Sequence, residues 1–360
     1  MAPKVLFFKT AWGVFEPPRP GVAGAEGPKG RPFDLASDLD VALARVAAMG
    51  YDGVEATVAL AMQAPGGLPG WAAALRKAGL RWIAMIFSCG LAPTPGNLGL
   101  QSAAGIAHLP DNAAATRDVA RHEAVWQGQV REALACARGG ALDAAGAPPL
   151  LVAITSHTGK DFFSDAEADA LLASCAAFEA AVVAPAGVRV NHETHRGRIL
   201  YSPWTSPGVL ARHPALTACA DLSHWVVVAE AECAAPELAA AVAAVTPRVR
   251  HVHARVGFTE GPQVPDPRGA WCRRFFDGHL QWWANIFAAA DAAGLAEITC
   301  TPEFGPSEYV PQNAAGEPVA NVWEVNHWVG LQVQALVRKQ FGDDTQGRLV
   351  PDVGPELPKV

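Results

Sequence analysis

The chain has 360 residues, of which 50% are hydrophobic and 18% charged, with a formal net charge of −7. That is ample apolar material for a large core and too few charges for a disordered chain. The acidic balance argues against nucleic acid as a partner, because phosphate binding needs a basic surface. Seven cysteines, at 89, 136, 175, 219, 233, 272 and 300, make no CxxC pair and read as reduced, buried thiols. The apolar run in MAPKVLFFKTAWG is too short for a signal peptide, and no stretch reads as a membrane span. The expected location is cytoplasmic.

In chain order, VLFFKTA (5–11) reads as the first strand, followed by a Gly/Pro-rich loop. LASDLDVALARVAAM (35–49) has helical spacing and stops at Gly50. YDGVEATV (51–58) is the second strand, and GWAAALRKAG a helix with a terminal glycine. LRWIAMIF (80–87) is the third strand, and 113–138 a long helix ended by Gly139–Gly140. LLVAITS (150–156) is the fourth strand and 165–184 an Ala-rich helix, with Asp161 and Ser164 as caps. VRVNHET, LTACADLSH and VRHVHAR supply strands five to seven, with a helix at 236–245. Residues 278–293 are helical, AEITCTPEF (296–304) is strand eight, and 320–341 is the closing helix. Eight strands alternating with helices predict a parallel sheet closed into a (β/α)8 TIM barrel, an α/β fold, in one domain over 1–342. Residues 343–360 read as a C-terminal tail or arm. The longest loops, 12–34, 88–111 and 256–276, follow strands one, three and seven, on the catalytic face.

Four polar residues end consecutive apolar runs: Glu193, Asp221, His253 and Glu303. One ligand-type residue at the C-terminal end of each of four successive β/α units is what a barrel needs to hold a divalent metal. In VRHVH, His253 is assigned the inward register and His251 the helix layer; His192 and Glu193 take opposite faces. His157 and Lys160, just past strand four, are candidate substrate contacts. His195, Arg196 and Arg198 in HETHRGR lie on the same face, where a phosphate or carboxylate contact is open to them. Trp204, Trp225 and Trp271 follow active-face strand ends or loops, whereas Trp282, Trp283, Trp323 and Trp328 read as core.

The order Glu, Asp-x-x-His, His, Glu on strands five to eight resembles the sugar isomerase/epimerase group of xylose-isomerase-like barrels, over nearly the whole chain. The resemblance implies that Glu193, Asp221, His253 and Glu303 bind one divalent ion, Mn first, with Mg, Co or Zn as alternatives. It also implies that Glu193 and Glu303 flank the substrate carbon that loses and regains its proton. His224, in DLSHW, corresponds to the histidine that touches substrate oxygen, and Glu55, in DGVEA, to an acid at the end of strand two, here a candidate substrate contact. The group places an arginine past the histidine ligand; here Arg255 and Arg268 are the candidates.

Moving a proton next to a carbonyl needs a base and an electrophile for the developing charge, and carboxylates beside a divalent metal supply both. The expected function is a metal-dependent isomerase or epimerase of a sugar, polyol or related keto compound. The runner-up is a lyase, of the inosose or dehydroshikimate dehydratase kind or an eliminating deglycosidase. A non-catalytic sugar-binding barrel is the alternative of another class, and a phosphodiesterase of the endonuclease IV type ranks lowest. The expected partner is a small-molecule sugar or polyol, with no nucleic acid and no membrane; a homo-oligomer is left open.

Overall fold

The computed structural model describes residues 2–15, 33–89, 117–138, 148–306, 309–342 and 348–351. Eight parallel strands close in sequence order into a barrel. They are β1 (Lys4–Thr10), β2 (Gly53–Thr57), β3 (Arg81–Phe87), β4 (Leu151–His157), β5 (Val190–Glu193), β6 (Thr217–Ala220), β7 (Val249–His253) and β8 (Glu297–Thr301). Closure pairs β1 with β8, Val5 opposite Ile298, so no edge is left exposed.

Ten α-helices are described: α1 (Leu39–Ala48), α2 (Val58–Gln63), α3 (Gly67–Lys77), α4 (Val119–Arg138), α5 (Asp165–Phe178), α6 (Ser206–Arg212), α7 (Ser223–Ala229), α8 (Pro236–Val245), α9 (Arg273–Ala292) and α10 (Val322–Phe341). The expected long helices are present; α2, α6 and α7 are short and were not anticipated. Ser164 caps α5 in a reciprocal capping box with Glu167. The helical path then runs on through a π turn (Glu179–Val183) and a 3-10 turn (Ala184–Ala186). The continuous stretch Asp165–Ala186 is long and apolar enough to cross a membrane by length and composition, against the expectation of no such segment. Its alanine content gives that character, and Leu171, Leu172 and Cys175 are buried in the core.

Alternation along the strands sorts the side chains. Val5 and Phe7 of β1 join the main core between sheet and helices, while Leu6 and Phe8 meet Ile83 and Ala153 in a separate apolar cluster. Above this plug the inward residues turn polar. Thr155 donates to Glu55 Oε1 at 2.6 Å, and His251 pairs with Thr299 Oγ1 at 2.8 Å. Gly53 is required by close approach, since a Cβ there would lie 2.4 Å from the Phe8 ring and 2.3 Å from the Arg81 carbonyl oxygen.

The loops expected at 12–34 and 88–111 fall largely outside the described residues, as does most of the tail. Residues 348–351 dock as an arm. Leu349 is buried, its backbone is clamped by Gln334 at 2.8 and 2.9 Å, and Val350 N donates to Met49 O at 3.1 Å.

Gly53→Ala is expected to destabilise the fold by about 1–3 kcal/mol, the range for overpacking a filled interior. Thermal denaturation followed by circular dichroism checks this; an unchanged midpoint would show that Phe8 yields freely.

Candidate metal centre

Glu193 ends β5, Asp221 follows β6, His253 ends β7 and Glu303 lies two residues past β8. Each offers one ligand atom, and these four atoms lie within 4.8 Å of one another. That is the span filled by a cation bonded at roughly 2.0–2.4 Å to ligands on opposite sides. All four side chains are buried. His253 Nδ1 stands between the two glutamates, 3.3 Å from Glu193 Oε1 and 3.1 Å from Glu303 Oε2. Asp221 Oδ1 accepts from Ser223 Oγ at 2.5 Å, and its Oδ2 meets Arg255 Nη2.

Residues 43–320 match the family described as xylose isomerase-like TIM barrel. The chain belongs to that family. No curated protein matches the chain. Among solved structures it is similar to a xylose isomerase-like TIM-barrel protein of Mycobacterium smegmatis in complex with magnesium (11% identity, 83% of this chain and 89% of that one, TM-score 0.48). It is also similar to a probable 3-DHS dehydratase of Bacillus anthracis (12%, 93% and 98%, 0.46). A third is D-psicose 3-epimerase with D-tagatose from Clostridium cellulolyticum H10 (11%, 85% and 93%, 0.43). Identities and scores this low carry no argument about the site, so the family rests on the sequence match and the site on its own geometry.

Glu55 supports the centre of this xylose isomerase-like barrel from below. The resemblance made it a substrate contact, but the chain surrounds it with its own donors. Oε1 receives Thr155 and lies 3.1 Å from His253 Nε2, and Oε2 lies 3.1 Å from His251 Nε2. His253 therefore gives Nε2–H to Glu55 and turns Nδ1 toward the acids, the carboxylate–histidine arrangement that orients a metal ligand. The assignment of His251 to the helix layer is wrong. Residues two apart on a strand share a face, so His251 points inward with His253, and the two rings meet edge to face at 4.9 Å. His192 does face outward, stacked with Trp126 and bonded to Glu179 at 2.9 Å.

His157 reaches the centre, with Nε2 2.7 Å from Glu193 Oε2. His195 lies against His224, ring centroids 3.8 Å apart. The His224 Nε2 is 2.9 Å from Arg255 Nη2 and 3.6 Å from Asp221 Oδ2. Arg255 is the arginine that enters the site; Arg268 instead pairs with Asp266 at 2.7 Å, away from the acids. Arg196 is exposed and stacks over Tyr309 at 5.4 Å, while Lys160, half-buried, forms no ion pair among the described residues. The sequence reading missed Trp12 and Tyr309, which roof Arg255 at 5.8 and 5.0 Å. A Cβ on Gly305 would strike the Trp12 ring at 2.1 Å, so that glycine seats the roof. Trp225 is buried, and Trp204 and Trp271 are exposed.

The electrostatics follow from three carboxylates held close together in a buried space. Burial, with the fields of Glu193 and Glu303, pushes Asp221 up to about 6 despite the opposing Arg255. Burial also disfavours charge on Glu193, but His157 and His253 outweigh it and hold that carboxyl well below the usual range. Burial resists a proton on His253, yet Cys219, Glu303, Glu55 and Glu193 together raise it well above its ordinary value. Burial and the neighbouring His195 and Arg255 keep His224 neutral. The donors fit a divalent ion. Oxygen-rich sites with one imidazole suit Mg, Mn, Co or Zn, and a dication would replace the proton that the acids draw onto His253.

Two outcomes follow. Glu55→Gln removes the carboxylate that fixes His253 and is expected to weaken divalent-metal affinity about 10–100-fold, measured by calorimetry on folded protein. In metal-free protein the raised pKa means that folding favours the proton on Asp221. Its stabilising contribution is complete below the ordinary value of 3.8 and is lost as pH rises through about 6. Asp221→Asn should therefore gain stability relative to the native chain between about pH 5 and pH 7.5, measured by thermal denaturation in chelator. No relative gain would mean that the acids do not crowd Asp221.

Proposed function

We propose that this barrel is a metal-dependent isomerase or epimerase that moves a proton next to the carbonyl of a sugar, polyol or related keto compound. The observation that carries the reading is the position of Glu193 and Glu303. They flank His253 at 3.3 and 3.1 Å, so two carboxylates border one ligand space from different strands. Glu193, Asp221, His253 and Glu303 would hold the ion. When bound, it supplies an electrophile for adjacent substrate oxygens.

The chain's own groups do the rest. Glu193 is assigned as the base, because its Oε1 faces His253 in the ligand space and leaves Oε2 for the proton. His157, rather than the 194–198 loop, is the group that touches this oxygen. Glu303 borders the opposite side, where Arg255 Nη2 stands 3.4 Å from its Oε2. Proton return from that side inverts the carbon; return to the neighbouring carbon isomerises the substrate. Arg255 Nε and Nη1 are buried without partners, and they are assigned to a substrate oxygen whose charge grows as the proton leaves. His224 is assigned to substrate oxygen and not to the ion.

Metal-loaded protein incubated in D2O with keto-sugars and inososes tests the reading. Deuterium uptake without net loss of water is the expected result, and loss of water would make the enzyme a dehydratase. Glu193→Gln should abolish exchange while retaining metal. Exchange at the native rate in that variant would transfer the base role to Glu303. His224→Ala should keep its metal content and lower turnover; equal loss of metal would make His224 a ligand.

A further inference from the structure

A buried cation beside the site lacks an anion. Arg198 is 2% exposed, and a guanidinium stays charged at any accessible pH. Among the described residues it meets no carboxylate. Its Nη1 donates to Cys89 Sγ at 3.2 Å, a weak acceptor, and the guanidinium lies over the Phe87 ring at 5.6 Å. A buried charge without a counter-charge is costly, so native chains pair it. Arg255, also buried, follows that rule with Asp221 and Glu303. The backbone fixes Arg198 in place. Ile199 N donates to Thr158 O at 3.0 Å, and Gly159 N to Ser88 Oγ at 2.7 Å, so the exits of β3, β4 and β5 are tied together beside it. Phe87 also stacks on His157, with centroids 4.4 Å apart, and His157 reaches Glu193. One phenyl ring and one imidazole thus lie between Arg198 and the assigned base. The charge of Arg198 is felt in the site: burial and His157 first, then Arg198 and Arg255, hold His195 well below its ordinary value. Lys160 and Arg196, past the same two strands, also form no ion pair among the described residues.

We propose that Arg198 holds a carboxylate of the substrate, so that the compound processed is a sugar acid or hydroxylated keto acid and not a neutral sugar. The proposal rests on the reading of the acids and His253 as a centre for proton transfer next to a carbonyl. The fork of the guanidinium fits a carboxylate through two parallel hydrogen bonds, and one positive charge matches one negative. A phosphate dianion needs a second buried cation, whereas Arg196 is exposed and Lys160 half-buried. Position decides which part of the substrate bears the acid. Phe87 and His157 separate Arg198 from Glu193, so the carboxylate sits at the end remote from the carbon that exchanges its proton. That separation also serves the charge balance. A carboxylate brought to the ligand space meets Glu193, Asp221 and Glu303, which repel it; at Arg198 it meets the charge that lacks a partner.

Calorimetric titration of the metal-loaded full chain tests this. The probes are hexuronates and hexonates, each set against the hexose or hexitol of the same carbon skeleton. At least one acid should bind about 10–100-fold more tightly than its neutral counterpart, the range for a hydrogen bond to a charged group. Arg198→Met should abolish that preference while metal content stays the same. Arg198→Lys keeps the charge and loses the fork, so it should bind the acid less tightly than the native chain and more tightly than the methionine variant. Thermal denaturation confirms that each variant is folded, and the lysine variant carries the test should the methionine variant fail to fold. Equal affinities for every acid and its counterpart, or a preference that survives Arg198→Met, would overturn the proposal. A hexose 6-phosphate that outbinds the acids and depends on Arg198 would replace the carboxylate with a phosphate group and overturn it too. Binding is read without turnover, which separates the two readings. An Arg198-dependent preference for acids with no deuterium uptake keeps the carboxylate site and rejects proton transfer. Deuterium uptake into neutral keto-sugars, with no preference for acids, does the reverse.

Discussion

The constraint on which the site depends is charge. Closing eight strands in order brings the ends of β5 to β8 to one mouth, and Glu193, Asp221 and Glu303 arrive there with no room to spread. Carboxylates in a buried space raise one another's proton affinity, and Asp221, pushed to about 6, bears the strain. The chain supplies only partial relief. Arg255 contacts both Asp221 and Glu303 and is itself buried, so it balances one of the three acids, and the others draw a proton onto His253. A dication would balance the other two.

The inside of the barrel prepares this arrangement. An apolar plug of Leu6, Phe8, Ile83 and Ala153 closes one end, and Gly53 lets the Phe8 ring fill it. Above it Glu55 gathers Thr155, His251 and His253 into one buried network. Glu55 is ionised despite burial, because the two histidines outweigh desolvation. Its negative charge faces His253 and fixes which nitrogen of that ring turns toward Glu193 and Glu303. The role of Glu55 is orientation, transmitted through one ring.

Much of this was legible in the sequence for a simple reason. Strand ends are marked by a polar residue closing an apolar run, and all four acids and imidazoles at β5 to β8 carry that mark. The eight strands were found with each start within two residues, because each is a short apolar run bounded by glycine or a polar residue. The rest has identifiable causes. The 2-residue period was misapplied at VRHVH, which hid the pairing of His251 with Glu55. The short helices α2, α6 and α7 bury too few residues to leave a helical period. Trp12 and Tyr309 meet at 5.1 Å although nearly the whole chain separates them, and no local pattern encodes such a contact. Ser223, two residues past Asp221, did carry a readable signal, since serine commonly bonds a nearby acid in a turn.

The choice of arginine at 255 bears on how the site tells its own charge from an incoming one. A lysine there could lose its proton when buried and leave three acids unbalanced, whereas a guanidinium stays charged at any accessible pH. Asp221 and Glu303 reinforce that charge, raising the pKa of Arg255 still further above its ordinary value despite burial. Trp12 and Tyr309 lie over the guanidinium and add cation–π attraction while excluding water. A dry, permanent cation next to two of the ligands weakens the site's hold on a divalent ion compared with three bare carboxylates. It also strengthens the pull on any substrate oxygen that becomes negative beside it. On the proposed reading, the same residue would limit the affinity of the centre for an ion and favour charge development during the reaction, and both effects follow from one guanidinium that cannot titrate.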